Sequence, residues 1–129
     1  MLKRIKNTNI LVPDFAEAIS FYTAEFGFEL YQNFPEQNWV SVIVPGNKEH
    51  IITFCLAESD DDKALVGKQC GSYVLFILEV EDCAIIYNEW KSKGIDFDGE
   101  IQQYGKNRFL IAKDLYGNKL FISDSKFFQ

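Results

Sequence analysis

The chain has 129 residues, a formal net charge of −6 and an aromatic content of 16%. This length fits a single domain with its own hydrophobic core, and so many aromatic side chains are typical of a bulky core or an aromatic-lined pocket. The acidic surface would repel a phosphate backbone, and no stretch approaches the roughly 20 apolar residues of a membrane span, so neither a nucleic-acid nor a membrane partner is expected.

The first half of the chain predicts one β-α-β-β-β unit. Residues 5–12 end in β-branched and aliphatic side chains and predict a strand. Asp14 predicts a helix N-cap, an apolar stripe at steps of three and four predicts the helix, and Gly27 ends it. Three further strands are predicted near residues 28–34, 38–45 and 50–58.

A second unit with the same order of elements is predicted after a polar linker at residues 59–71. The acidic run in this linker is interpreted as a solvated loop rather than a cation site, because adjacent Asp side chains diverge. Residues 73–80 predict a strand, and Asp82 caps a predicted helix that ends at Gly94. The last strands are predicted near residues 96–103, 107–113 and 119–124.

Matching residues in the two halves indicate an internal duplication. Strand-end, helix-cap and helix-stripe residues recur 68 positions apart: Val12 and Val80, Asp14 and Asp82, Tyr22 and Trp90. The turn residues 46–48 recur at 117–119, which is 71 positions later. The sequence therefore predicts one α+β domain over residues 1–129, built from tandem units at about 1–58 and 72–126. Because one helix covers only one face of each sheet, the expected architecture is a curved mixed sheet around a central cleft, with helices outside.

Three motifs link the chain to a known superfamily. They are Val12-Pro13-Asp14 followed by Phe21-Tyr22 and Phe26-Gly27-Phe28-Glu29, residues 80–95 around Trp90-Lys91-Ser92-Lys93-Gly94-Ile95, and residues 112–120, Ala-Lys-Asp-Leu-Tyr-Gly-Asn-Lys-Leu. With these motifs the chain resembles the vicinal-oxygen-chelate superfamily, which includes glyoxalase I, extradiol dioxygenases, fosfomycin-resistance enzymes and bleomycin-resistance proteins. The resemblance implies the fold but not an activity, because this fold hosts several chemistries as well as pure binding.

The positions where the resemblance implies metal ligands hold Asn7, Leu75 and Phe121. Leu and Phe cannot coordinate a metal, and Asn is a weak neutral ligand. His50 is the only histidine; it lies 71 positions before Phe121, but it is interpreted as an exposed strand residue. We therefore expect no metal, no cofactor and no catalytic residue. A pairing of His50 with Ser41, Thr53 or Cys55 would be the alternative route to nucleophilic catalysis.

Alternation along the predicted strands separates a helix-facing set of side chains from a cleft-facing set. The cleft-facing set mixes rings with amides and hydroxyls, as expected for an aromatic or heterocyclic ligand held by stacking and shape. These predicted ligand-binding residues are Asn7, Asn9, Trp39, Ser41, Thr53, Cys55, Tyr73, Leu75, Glu79, Phe109 and Phe121. Tyr22 and Trp90 lie on helix stripes and are predicted to be core.

The function that fits best is a non-enzymatic small-molecule binder of the bleomycin-resistance type, acting as a homodimer that sequesters an aromatic or cationic ligand. Two alternatives stay open: a lyase, isomerase or dioxygenase of the same superfamily with an atypical site, and an interaction domain with a closed cleft. A cytoplasmic location is expected, because three cysteines without CxxC spacing are typical of reduced thiols and the basic N-terminus is not followed by a signal-peptide apolar run.

Overall fold

A computed structural model describes residues 1–124. The chain divides into two compact units, Met1–Val66 and the part from Gly67 onward. The elements of the first unit are β1 (Asn7–Val12), α1 (Phe15–Ser20), a π-helical turn (Phe21–Glu25), β2 (Glu29–Phe34), a 3-10 turn (Pro35–Gln37), β3 (Trp39–Val44), β4 (Asn47–Leu56) and α2 (Asp60–Leu65). Those of the second are β5 (Phe76–Val80), α3 (Cys83–Ser92), β6 (Gln102–Tyr104), β7 (Asn107–Lys113) and β8 (Lys119–Asp124).

Each unit contains a four-stranded mixed sheet, and the two sheets have the same strand order. The order is β1-β4-β3-β2 in the first and β5-β8-β7-β6 in the second. In both, the outer pair β1–β4 or β5–β8 is parallel and the remaining pairs are antiparallel. An α+β fold of two tandem units is thereby confirmed. No helix among residues 1–124 is long and apolar enough to cross a bilayer.

The helix of each unit begins at the predicted cap. Asp14 accepts the N–H of Glu17 at 3.1 Å, and Asp82 accepts the N–H of Ala84 at 2.8 Å. Such caps satisfy backbone donors that have no partner within the helix. The first helix changes to a π-helical turn at Phe21 and ends at Gly27, which has φ +91°.

The core of each unit lies between the sheet and its helix. In the first unit, Tyr22 is fully buried and its ring meets the ring of Phe54 edge to face at 5.2 Å. In the second unit, Trp90 is buried, as are the helix-facing residues of β7 and β8: Leu110, Ala112, Leu120 and Ile122. The assignment of Tyr22 and Trp90 to the core agrees with this packing.

The predicted linker contains a helix, and two predicted strands are shorter than expected. Ser59 accepts the N–H of Asp62, so the acidic run forms the first turn of α2, where its carboxylates face the positive end of the helix dipole. Strand β5 begins at Phe76 rather than at residue 73. The predicted strand 96–103 is interrupted at Gly99, which has φ +92°, and leaves one bridge from Phe97 and the short β6.

Candidate ligand-binding faces

In the first unit, a row of four polar side chains runs straight across the sheet face opposite to that of Val40 and Val42. Register places Asn9 beside Thr53, Thr53 beside Ser41, and Ser41 beside Gln32, one residue from each strand. The Ser41 hydroxyl donates to Gln32 Oε1 at 2.8 Å, and Asn7 Nδ2 donates to Thr53 Oγ1 at 2.8 Å. The four predicted residues of this region, Asn7, Asn9, Ser41 and Thr53, are therefore brought together. We call Asn9, Thr53, Ser41 and Gln32 the polar row.

Gln32 belongs to the polar row because of a β-bulge that the sequence does not reveal. The pairing of β2 with β3 shifts between Leu30 and Gln32, which leaves Tyr31 as the extra residue. A bulge reverses the alternation that follows it. Gln32 and Phe34 therefore share the face of Ser41 and Trp39, although simple alternation from Glu29 would place them on the other face.

An exposed pair of aromatic residues lies next to the polar row. Trp39 pairs directly with Phe34, and their side chains are 46% and 52% exposed. Cys55 follows the same alternation on β4, opposite Leu11. The first unit thus combines two accessible rings with the half-buried Gln32 and the exposed Asn9, while Ser41 and Thr53 are buried beneath them in the same row. Rings with a few hydrogen-bonding groups are the composition of a site for a flat polar ligand.

The open face of the second unit is apolar and aromatic at its centre. The rings of Phe109 and Phe121 stack with centroids 4.9 Å apart and an angle of 15° between their planes. Ile77 and Ile111 lie on either side of Phe121 in the ladder, and Glu79 lies opposite Ser123 at one end of this face. Two of the predicted aromatic residues, Phe109 and Phe121, are therefore in contact.

Two predicted residues of this unit, Tyr73 and Leu75, precede the strand on which they were placed. Tyr73 lies at a bend and its side chain is 80% exposed, so strand alternation does not assign it to a face. Leu75 is aligned with the sheet, because its N–H donates to the Lys119 carbonyl at 2.7 Å. The difference arises because the apolar run from Tyr73 begins within a turn, in which the N–H of Tyr73 bonds to the Cys70 carbonyl.

Strand register shows that Thr53, not His50, corresponds to Phe121. Val12 pairs with Leu56, and its counterpart Val80 pairs with Asp124. Equivalent residues of β4 and β8 are therefore 68 positions apart, as are those of β1 and β5. The spacing of 71 between the turns is larger because β4 contains extra residues between Asn47 and Ile51, where its pairing with β3 shifts. The 71-residue separation of His50 and Phe121 is therefore not a structural equivalence. His50 follows the alternation of Ile52, and its Nε2 lies 2.6 Å from the Thr8 hydroxyl. It therefore points away from the face of Thr53 and Cys55 and forms no nucleophile–base pair with them.

The four positions equivalent to metal-ligand positions do not form a metal site. They hold Asn7 and Thr53 in the first unit and Leu75 and Phe121 in the second. Two of these side chains are hydrocarbon, and the other two are neutral and hydrogen-bonded to each other. Among residues 1–124, no cluster of three or more His, Cys, Asp or Glu side chains could hold a metal ion. The donor set does not fit the metal that the superfamily uses.

The three cysteines are expected to differ in reactivity toward an alkylating reagent. Cys70 is exposed, whereas burial, and then hydrogen bonding and proximity to the Asp124 carboxylate, raise the pKa of Cys83 to about 12. Burial also raises the pKa of Cys55. Because the thiolate is the reactive form, iodoacetamide should modify Cys70 first and Cys83 only after unfolding. Peptide mapping after timed alkylation measures this order, and equal labelling of Cys70 and Cys83 in the folded protein would contradict it.

Comparison with known proteins identifies relatives over nearly the whole chain. The model of the Glyoxalase/Bleomycin resistance protein/Dioxygenase superfamily matches residues 4–122. An uncharacterized protein of Shewanella frigidimarina (strain NCIMB 400) is 30% identical over 122 residues, which are 92% of this chain and 90% of that protein. The uncharacterized protein YetH of Bacillus subtilis (strain 168) is 25% identical over 127 residues, 96% of this chain and all (100%) of YetH.

Solved structures with the same fold include two of comparable length. UcmS2 superposes with a TM-score of 0.83 at 23% identity, covering 97% of this chain and 100% of that one. TnmS3, an antibiotic binding protein from Streptomyces sp. CB03234, superposes with a TM-score of 0.76 at 18% identity, covering 95% of this chain and 96% of that one. At these identities the likeness shows the fold and leaves the function to the residues of the site.

Proposed function

The chain belongs to the Glyoxalase/Bleomycin resistance protein/Dioxygenase superfamily, and on that basis we propose that it is a metal-free protein that binds and sequesters an aromatic small molecule. The proposal includes a homodimeric assembly and a cytoplasmic location. Sequestration needs only binding, so it requires neither a metal ion nor a catalytic group. This agrees with the side chains at Asn7, Thr53, Leu75 and Phe121, which do not fit a metal ion.

The observation that carries this proposal is the polar row with its adjoining aromatic pair. A flat heterocycle could stack on Trp39, whose ring is nearly half exposed, while its polar atoms reach the half-buried Gln32 amide, which lies across from Ser41 on the same face. Hydroxyl and amide groups can each donate and accept, which suits a ligand with several heteroatoms. That TnmS3, a protein of the same fold, is an antibiotic binding protein supports binding as a use of this architecture.

The hydrogen bonds of the Ser41 and Thr53 hydroxyls favour ligand binding over catalysis by proton transfer, because they do not join either hydroxyl to a base. Ser41 is 1% exposed and donates to Gln32, and Thr53 is 9% exposed and accepts from Asn7. Neither hydroxyl is paired with a base in these bonds, and His50 follows the opposite alternation on β4. A general acid or base would have to stand within hydrogen-bond reach of the reacting group.

We expect a thermal-shift screen of aromatic antibiotics and heteroaromatic metabolites to find ligands that raise the unfolding midpoint with concentration. Mass action gives about 2.7 kcal/mol of stabilisation when the free ligand is at roughly 100 times Kd. Trp39→Ala should weaken the binding of each ligand found by about tenfold or more, because it removes the stacking surface. Tyr104→Ala is the matched control, since Tyr104 is an aromatic side chain 75% exposed at the end of β6.

The intrinsic fluorescence gives a second measurement. The chain has two tryptophans, and Trp90 is a buried residue of α3, so a Trp90→Phe variant reports on Trp39 alone. Quenching of that signal on ligand addition supports stacking at Trp39. Equal affinities for Trp39→Ala and Tyr104→Ala, or a stoichiometric tightly held metal in the purified protein, would overturn the proposal. Analytical ultracentrifugation tests the dimer separately.

A further inference from the structure

Two lysines lie directly opposite each other on the open face of the second unit. Lys113 of β7 pairs with Lys119 of β8, and both follow the alternation of the central residues Ile111 and Phe121. Like charges in direct cross-strand register destabilise a sheet. Such a pair is unexpected in a chain with a net charge of −6, where acidic alternatives are abundant.

One of the two lysines forms an ion pair within the unit, and the other forms none among residues 1–124. Lys119 Nζ lies 3.2 Å from Asp98 Oδ2. Within residues 1–124, Lys113 takes part in no ion pair. Asp96 is its nearest acidic neighbour by register, since the Asp96 carbonyl accepts the Lys113 N–H at 2.9 Å, but the Asp96 side chain is exposed and makes no salt bridge to it.

Strand register places Lys113 next to the aromatic stack. Lys113 is the diagonal neighbour of Phe121, since Lys113 pairs with Lys119 and Ile111 pairs with Phe121. Diagonal neighbours in an antiparallel sheet are roughly 7–8 Å apart, within reach of a long side chain. This face therefore combines the Phe121 ring, the aliphatic side chains of Ile77 and Ile111 beside it, and the positively charged Lys113 at one end.

We propose that this face binds an aromatic carboxylate, with the Lys113 ammonium contacting the carboxylate and the ring lying against Phe121 and the aliphatic side chains beside it. The inference goes beyond the proposed function, because all of its residues belong to the second unit, and it specifies an anionic ligand for that face. Charge-assisted hydrogen bonds of this kind are about twice as strong as neutral ones.

The test uses 2-naphthoate and its neutral amide, 2-naphthamide, as probes in isothermal titration calorimetry. The wild-type protein should bind the carboxylate at least about tenfold more tightly than the amide, as one charge-assisted contact provides. Lys113→Met should remove this preference and leave amide binding unchanged. Lys106→Met is the matched control, because Lys106 is exposed in the turn after β6 and its replacement changes the net charge equally.

A measurement without ligand separates a binding lysine from a structural one. Lys113→Met should raise the midpoint of urea unfolding, since it removes the like-charged pair, while Lys106→Met should leave the midpoint unchanged. A lower midpoint for Lys113→Met, equal binding of the two probes by the wild-type protein, or no binding of the carboxylate would each overturn the inference. The proposed function is decided separately, by the antibiotic and metabolite screen and the Trp39 variants.

Discussion

Replacing Gly67 with alanine is expected to lower the free energy of unfolding by about 2–5 kcal/mol. Gly67 has φ +77°, a left-handed conformation that costs a side-chain-bearing residue roughly 1–2 kcal/mol. A Cβ added there would also overlap the carbonyl oxygen of Tyr116 and lie 2.8 Å from its carbonyl carbon. Backbone atoms cannot move aside as a flexible side chain can, so overpacking adds a further 1–3 kcal/mol or so.

Gly71→Ala provides the control, because it isolates the conformational cost. Gly71 also has a positive φ, +62°, but a Cβ there would meet no atom within 4 Å. Its replacement should cost only the left-handed strain, roughly 1–2 kcal/mol. Urea unfolding at equilibrium compares the two variants, with the slope of each transition checked against the wild type. An equal decrease in the free energy of unfolding for the two variants would show that the close approach of Gly67 to the Tyr116 carbonyl does not add to the cost of the substitution.

The approach of Gly67 to Tyr116 illustrates what the sequence could not provide. The segment after residue 58 is polar and acidic, and its composition alone predicts a solvated linker. The helix cap at Ser59 could have been recognised from sequence, since Ser followed by acidic residues is a helix-start signal. A contact between residues 67 and 116 could not, because it depends on tertiary packing between positions far apart in the chain.

The duplicated fold, by contrast, was predictable from residues that act locally. Asp14 and Asp82 each cap a helix, and Gly27 ends the first one, so short-range chemistry sets the same element order in both halves. The strand order and the parallel pairing of β1 with β4 and of β5 with β8 were not predicted, because they join residues far apart in the chain. The 71-residue spacing of the two turns did not reveal which strand residues are equivalent, because the extra residues lie within β4, where its pairing with β3 shifts.

The candidate site was predictable where strands are regular and unpredictable where they are not. Ser41 and Thr53 lie on β3 and β4, which pair continuously at these residues, so alternation placed both on one face. Gln32 lies beyond a bulge whose position is set by pairing with β3 and not by any turn residue in β2. Its role in the polar row therefore emerged only from the structure.

Removing the Asp124 carboxylate is expected to have the second large effect on stability, because Asp124 ties the start of α3 to the sheet. It accepts the N–H of Cys83 at 2.8 Å and the Arg108 Nε at 2.8 Å, and Arg108 also reaches Asp82 at 3.2 Å. Asp124→Ala would leave a buried backbone N–H and a guanidinium without this acceptor. We expect a loss of about 2–4 kcal/mol in the free energy of unfolding.

The same carboxylate should make stability depend on pH in a predictable direction. Partial burial acts to raise the pKa of Asp124, but the hydrogen bonds from Arg108 and Cys83 outweigh it and hold the pKa below its ordinary value of 3.8. Because the folded-state pKa is below the unfolded one, the stabilisation is complete above pH 3.8 and is lost as the pH falls through the folded-state pKa. The difference in unfolding free energy between the wild type and Asp124→Asn should therefore be constant near neutrality and shrink in acid.

The exposed pair of Arg4 and Glu49 is a matched control for the Asp124 network within the same protein. Arg4 NH1 lies 2.9 Å from Glu49 Oε2, much as Arg108 lies from Asp124, but the Glu49 side chain is 81% exposed whereas that of Asp124 is 14% exposed. Solvent screens an exposed pair, so Glu49→Gln should cost less than about 1 kcal/mol. Urea unfolding measured from neutral pH to about pH 3 compares the two variants over the range in which carboxylates titrate. A difference between the wild type and Asp124→Asn that persists unchanged at the acid end would show that the carboxylate's charge does not hold α3 to the sheet.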